Sequence, residues 1–269
     1  MRDDLGDRMK QNYEHRTRFY LPRRTYTIIR VDGKAFHSYT RGLQRPYDLD
    51  LMADMDHTAQ TLCEQIAGAR LAFVQSDEIS LLVTDFESIQ TEAWFDGNLQ
   101  KMVSLSASIA TAAFNRARLI RAYNEGNGEL PGDLPQAHFD SRVFTIPDPM
   151  EVENYFIWRQ QDASRNSVSM AAHAYLSHSR LQGVGNSEMQ ELLFQEHGIN
   201  WNDYPAGFKR GRAVVRAEVV KDVVYTDKRT GEERRIENVT RHLWQVVTEL
   251  PVFTQDRDWL RIHIPRYEI

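Results

Sequence analysis

Thr25-Tyr-Thr-Ile-Ile-Arg-Val-Asp32-Gly33 and, further along, Val74-Gln75-Ser76-Asp77-Glu78-Ile79-Ser80 decide how this chain is read. Each is an apolar, β-branched run ending in a carboxylate beside a turn-prone residue. Charge at the end of a buried strand is costly unless something compensates it, so two such strand ends point to a cation site.

The segments between and after them supply the topology. Asp48 reads as a helix cap, and Leu51, Met55, Thr58, Leu62 and Ile66 follow at helical spacing until Gly68 stops the helix. Ala69 to Gln75 and Ile79 to Thr84 form a tight hairpin whose turn contains Ser76, Asp77 and Glu78. A second helix runs from about Asn98 to Tyr123, with Met102, Leu105, Ile109, Ala112, Ala113 and Arg116 in register. A Gly- and Pro-rich loop over 124–137 leads to a strand from Phe139 to Ile146. Strand, helix, strand, strand, helix, strand is the order of an α+β, ferredoxin-like βαββαβ sheet. A right-handed crossover makes the first two strands parallel, and the hairpin inserts the third between them. Asp32 then lies at the same sheet edge as Asp77 and Glu78.

Neighbouring carboxylates repel, and one of them stays protonated unless a cation intervenes. Hard oxygen donors with room for water and phosphate oxygens suit Mg²⁺, and two such ions could hold the attacking and departing oxygens of a phosphoryl transfer. The plainer reading is that Asp32 closes an Asp-Gly turn and Asp77 caps a hairpin. The topology, which brings the two together, favours the metal. Gly33 lets the backbone approach a ligand, and its carbonyl could also coordinate.

Composition bounds the rest. With 269 residues and 41% hydrophobic content the chain can bury one large core or two modest ones. A net charge of −5 requires any nucleic-acid contact to come from local basic patches. The single Cys63 excludes an intramolecular disulfide and a multi-Cys zinc cluster, and reads as a small core residue. No apolar run reaches the roughly 20 residues of a membrane span, and the start Met1-Arg-Asp-Asp is polar, so a soluble cytoplasmic protein is expected. Residues 1 to 20 read as a helix packed onto the body and ended by Pro22. Residues 148 to 200 read as mainly helical, and 212–225 with 235–248 as a hairpin. Trp158 reads as a core anchor rather than a base-stacking platform.

Ile29-Arg-Val-Asp-Gly-Lys-Ala-Phe-His37 and Gln75-Ser-Asp-Glu-Ile-Ser80 resemble the two signature segments of the tRNA-histidine guanylyltransferase family. Lys101, Phe139-Asp-Ser-Arg142 and Tyr155-Phe-Ile-Trp-Arg-Gln-Gln-Asp162 match further, in the same order. The resemblance implies a polymerase-type palm over residues 1–147, with a helical and β-hairpin, fingers-like region over 148–269 packed on it. It implies 3′–5′ nucleotide addition to the 5′ end of tRNA. A nucleoside triphosphate, ATP or GTP, activates the 5′-monophosphate, and the 3′-hydroxyl of the incoming triphosphate then attacks. Asp32 and Asp77 would be catalytic and would hold two Mg²⁺ ions, with the Gly33 carbonyl helping. Asp32, Gly33, Lys34, Ala35, Phe36, His37, Ser76 and Asp77 would bind nucleotide. Arg45, standing where relatives carry Lys, and Lys101 would contact phosphates. Glu78 is not counted as a ligand.

Eukaryotic members follow Trp-Arg-Gln-x-Asp with a His-x-Asn-Asn run used in recognising histidine tRNA. This chain has Ser164-Arg165-Asn166-Ser167 there, which points to the "-like" branch that repairs 5′-truncated tRNAs by templated addition. Arg23, Arg24 and Arg30, and Lys209, Arg210, Arg212 and Arg216, are basic clusters that could meet the tRNA backbone or equally pair with nearby acids. The resemblance also carries a tetrameric assembly. Two other readings share the sheet: a nucleotidyl cyclase, which needs no RNA, and a non-catalytic tRNA-binding protein, which needs no Mg²⁺.

Overall fold

The computed structural model describes residues 3–129 and 132–267. Met1, Arg2 and the loop position Pro131 lie outside the described residues. The helices are α1 (Asp4–Met9), α2 (Phe36–Tyr39), α3 (Leu49–Gln65), α4 (Leu99–Glu125), α5 (Pro149–Tyr175), α6 (His178–Leu181), α7 (Asn186–His197), α8 (Ala206–Arg210) and α9 (Asp258–Arg261). The strands are β1 (Tyr26–Gly33), β2 (Ala69–Gln75), β3 (Glu78–Val83), β4 (Phe139–Ile146), β5 (Arg212–Thr226) and β6 (Glu233–Val247).

They form one sheet in the order β4-β1-β3-β2-β5-β6, with every neighbouring pair antiparallel. β1 and β2 are therefore parallel with β3 between them, as the ferredoxin-like reading requires. Alternation along β1 assigns its faces. Ile29 and Val31 are buried with Met55 and Leu62 of α3 and Met102 and Phe114 of α4. Tyr26 and Ile28 are buried on the other face with Phe73, Phe156 of α5 and Phe253 of the C-terminal segment. Burying a side chain of this size contributes about 1.5–3 kcal/mol, so these two layers fix the register of β1 and hence the position of Asp32.

Local signals set the helix ends. The Asp48 carboxylate accepts from the Leu51 amide at 2.8 Å, and Asn98 caps α4 by accepting from Lys101 at 3.1 Å. Gly68 has φ +82°, and a Cβ there would come 2.2 Å from the Thr84 carbonyl oxygen, so the chain can enter β2 at this point only as glycine. Asp54 of α3, almost wholly buried, is paired with Arg118 at 3.2 Å and Arg121 at 2.9 Å and ties α3 to α4.

Two expectations are corrected, the packing of the N-terminal helix and the burial of Trp158, and two others are made specific. α1 continues through a π turn over Lys10–Glu14 and a 3-10 turn over His15–Thr17, and none of these residues is buried. Leu5, Met9 and Tyr13 are too few among charged neighbours to make a face worth burying. The second hairpin forms as read, and its strand β5 also pairs with β2 from Leu71↔Val215 to Val74↔Arg212, extending the same sheet. For part of the basic clusters the structure favours the second of the two readings, pairing within the fold. Arg23 is bound by Asp85 and Asp96, Arg212 is buried against Asp56 at 2.6 Å, Arg210 donates to the Leu250 carbonyl and Lys209 to that of Asn202. Trp158 is 45% exposed and is not a core anchor. Cys63 is buried, and burial raises its thiol pKa, as expected of a packing residue.

Candidate active site at the sheet edge

The end of β1 and the β2–β3 turn meet. Asp32 is in register with Glu78 on β3 and with Asp140 on β4, and the Gly33 amide donates to the Asp77 carbonyl at 3.1 Å. Asp77 occupies the two-residue turn beside Ser76, which has φ +46°. Burial pushes the Asp77 carboxyl above the usual carboxylate range, and the charges of Asp32 and Glu78 push it further. The Ser76 hydroxyl and the backbone amide of Asp77 pull it partly back.

Glu78 has a different role from its neighbour. Its carboxylate turns onto the α5 side of the sheet, where Arg159 lies at 2.9 Å, Arg30 at 3.7 Å and the Gln75 amide at 3.2 Å. The Arg159 side chain is only 5% exposed and also reaches Asp162 at 2.5 Å. The buried Arg159 Nε and Arg30 Nε lie close to Glu78 without hydrogen-bond alignment, so they hold it mainly by charge. A carboxylate so engaged has little left for a cation, which supports leaving Glu78 out of the ligand set.

The Gly33-to-His37 turn is built from packing. A Cβ on Gly33 would fall 2.2 Å from the Phe36 ring, so glycine is required by close approach. The Phe36 ring packs against Tyr39, Phe114 and Phe139, with centroids 5.0 to 5.6 Å away. Phe36 therefore offers a ligand its backbone rather than its ring. Ala35 has φ +54° and opens α2, while the Lys34 amide donates to the His138 carbonyl at 2.8 Å. The side chains of Lys34, Ala35 and His37, just after Asp32 in the chain, are exposed.

Two expected residues lie on other segments of the chain. Arg45 is exposed in the loop between α2 and α3. Lys101 lies in the first turn of α4, with its amine 5.7 Å from the Phe95 ring centroid. The residue of α4 level with Gly33 is Thr111, whose hydroxyl accepts from the amide of Phe139, the strand partner of Gly33. Lys101 is ten residues earlier, about 15 Å along the helix.

Asp140 and Arg142 were passed over as chemistry in the sequence. The Arg142 guanidinium sits 3.6 Å from both Asp32 and Asp140 and is half exposed. A signal was present in β4, where period-2 alternation from the inward Ser141 turns Asp140 and Arg142 to the face that bears Asp32. These pairs are long and solvated, so they leave Asp32 available.

Among the described residues, no three of His, Cys, Asp and Glu are gathered into a metal cage. The donors present are two carboxylates and a backbone carbonyl at an open edge. Mg²⁺ fits such an incomplete set, because it keeps several waters and takes remaining ligands from substrate phosphates. Burial is the main cause of the raised Asp77 pKa, and the smaller additions from the charges of Asp32 and Glu78 are what a bound cation would relieve.

Comparison with known proteins bears on the same residues. The family model described as tRNAHis guanylyltransferase matches residues 6–147, and that described as Thg1 C terminal domain matches 150–251. A bacterial tRNA(His) guanylyltransferase (Thg1)-like protein in complex with ATP is 39% identical, with 97% of this chain and 99% of that one covered at a TM-score of 0.80. A bacterial protein of the same description in complex with GTP is 38% identical over the same shares at a TM-score of 0.76. The tRNA(His) guanylyltransferase of Debaryomyces hansenii is 31% identical over 219 residues, covering 75% of this chain and 77% of that protein.

Proposed function

Because the chain belongs to the tRNA-histidine guanylyltransferase family, a family of nucleotidyltransferases, we propose that it adds nucleotides in the 3′–5′ direction to the 5′ end of tRNA through the Asp32 and Asp77 edge. The observation that carries this reading is the junction of Asp32 with Asp77, joined by the Gly33–Asp77 backbone bond within the two family signatures.

Two displacements are required, each at phosphorus. In the first, an oxygen of the RNA 5′-monophosphate attacks the α-phosphorus of a nucleoside triphosphate and pyrophosphate leaves. In the second, the 3′-hydroxyl of the incoming triphosphate attacks the activated 5′-phosphorus and the nucleoside monophosphate leaves. Asp32 and Asp77, with the Gly33 carbonyl, would hold Mg²⁺, which supplies charge neutralisation at the phosphates and a lowered pKa for the attacking hydroxyl. The Asp32-to-His37 turn and Ser76 would cradle the triphosphate, with the exposed Arg142 guanidinium 3.6 Å from Asp32 and Lys34 two residues beyond it in the chain. Arg45 and Lys101 would contact phosphates further from the acids.

The reading favours repair of 5′-truncated tRNA over strict guanylylation of histidine tRNA. In place of a His-x-Asn-Asn run the chain has Ser164 to Ser167, and Ser167 is buried, accepting from the Trp201 indole at 3.2 Å. Residues 1–147 would act as the palm and 148–269 as the fingers-like region. The single Cys63 supports a reducing cytoplasm, and a homotetramer is proposed from the family resemblance. The test is extension of labelled, 5′-truncated tRNA by triphosphates and Mg²⁺. Absence of a longer product with both monophosphorylated and activated ends would refute the assignment, and triphosphate consumption without RNA would favour a cyclase.

A further inference from the structure

Trp158 lies mid-way along α5, flanked by the buried Ile157 and Arg159, yet 45% of it is exposed. Leaving a large apolar ring half in water forgoes burial energy, so its position calls for a use. The ring is also held. The Arg159 guanidinium carbon lies over it, 4.1 Å from the centroid, and Tyr155 meets it edge-on at 5.8 Å. Arg159 is itself fixed by Glu78 and Asp162, and Tyr155 by Ser80 at 2.8 Å.

That chain of contacts ends at the catalytic edge. Glu78 adjoins Asp77 in sequence and Asp32 in register. Asp32, two residues beyond Arg30 and four beyond Ile28, is on the α5 face of β1, and the half-exposed Phe144 of β4 lies 5.8 Å from Tyr155 on that face. Two exposed guanidiniums, Arg142 on β4 and Arg165 on α5, stand on the same side. A braced aromatic ring, flanking cations and a pair of acids on one open surface match what a nucleic-acid end needs: a π surface for a base and positive charge for its backbone.

We propose that the Trp158 indole is the stacking platform for the nucleobase at the 5′ end of the RNA, with Arg159 as the positioning residue that fixes its tilt relative to Asp32 and Asp77. This rests on the tRNA-end reading above. Stacking is indifferent to base identity, since every base has a π face, so such a platform accepts whichever nucleotide the template strand last specified. It would hold the terminal nucleotide while its 5′-phosphate is activated and attacked.

The test uses the full chain and an acceptor-stem RNA duplex bearing 2-aminopurine at its 5′-phosphorylated terminal position. Wild-type protein is expected to change that fluorescence on binding. Trp158→Leu is expected to abolish the change and weaken RNA binding about tenfold or more, with the KM for the triphosphate unaltered. Trp158→Phe is expected to restore most of both, and melting temperatures within a few degrees of wild type exclude misfolding. RNA that binds wild type and Trp158→Leu equally, with the same fluorescence change, overturns the platform alone and leaves Trp158 free to meet a protein partner. Failure of wild type to bind any 5′-phosphorylated RNA overturns the functional reading and the platform with it.

Discussion

Gly33 donates its amide to the carbonyl of Asp77 at 3.1 Å, so two carboxylate-bearing turns that are 44 residues apart are joined through backbone as well as through sheet register. The separation of the two acids is thus set by main chain, the stiffest part of the structure. Asp32→Ala and Asp77→Ala are each expected to abolish nucleotide addition while leaving the circular dichroism spectrum and melting cooperativity unchanged. Removal of Mg²⁺ by chelation should do the same to wild type. Residual addition above one part in a thousand in either variant would remove that residue from the ligand set.

The close approach of Gly33 to Phe36 makes a sharper test of the turn. Gly33→Ala places a methyl 2.2 Å from a ring that is wedged among Tyr39, Phe114 and Phe139, so the ring cannot simply retreat. A cost of about 1–3 kcal/mol is expected from overpacking, read by chemical denaturation. Combining it with Phe36→Leu should restore part of that loss. Strict additivity of the two would show that the ring is not what excludes the methyl.

Asp77 links pH to stability. Burial raises its pKa in the fold, with Asp32 and Glu78 adding to the rise, so the protonated form is the one the metal-free fold prefers. The stability this contributes is fully present below the ordinary carboxylate pKa and is lost as pH rises through the raised value. Metal-free Asp77→Asn should therefore melt higher than wild type above that range and lose most of the difference below it. Mg²⁺ should raise the melting temperature of wild type increasingly as pH rises through the same interval, and that of Asp77→Asn little at any pH. An equal Mg²⁺ response in both proteins would argue against Asp77 as a ligand.

How much of this was legible in the sequence follows from the range of the forces involved. β1, the hairpin, α3 and α4 announce themselves through period, caps and glycine, which act over a few residues. The Asp32–Asp77 junction followed because a right-handed crossover leaves few other arrangements. What stayed hidden is pairing at long range. Nothing local in Arg23, Arg212 or Arg159 says that Asp85, Asp56 and Glu78 await them. Trp158 was misread because α5 is apolar on more than one side, so spacing alone does not tell its solvent face. The place of β5 beside β2 is likewise decided by a sheet edge with which its own alternation has no contact.

The Glu78–Arg159 pair should behave as a buried ion pair. Its members are mostly shielded, with side-chain exposures of 12% and 5%, and Arg30 offers only a looser contact at 3.7 Å. Arg159→Met leaves Glu78 with too little compensation and is expected to cost about 3–5 kcal/mol by urea unfolding. Glu78→Gln leaves Arg159 its Asp162 partner at 2.5 Å and should cost less. The double variant should be far less destabilised than the sum.

Ser167 separates a structural from a recognitional role at the place where the eukaryotic run carries its second consecutive Asn. Its hydroxyl donates to the carbonyls of Ser164 at 2.9 Å and Lys209 at 3.2 Å and accepts from the Trp201 indole, joining α5 to the segment that leads into β5. Ser167→Ala leaves the part-buried indole N–H of Trp201 without this partner and is expected to cost about 1 kcal/mol. Ser167→Asn must fit a longer side chain into a 2%-exposed site and should cost at least as much. Neither change should alter the ratio of kcat/KM between a histidine tRNA and another truncated tRNA, measured below the melting transition. A shift of that ratio by more than about threefold would return this position to tRNA recognition, since a structural pin changes how much enzyme is folded and not which RNA the folded enzyme prefers.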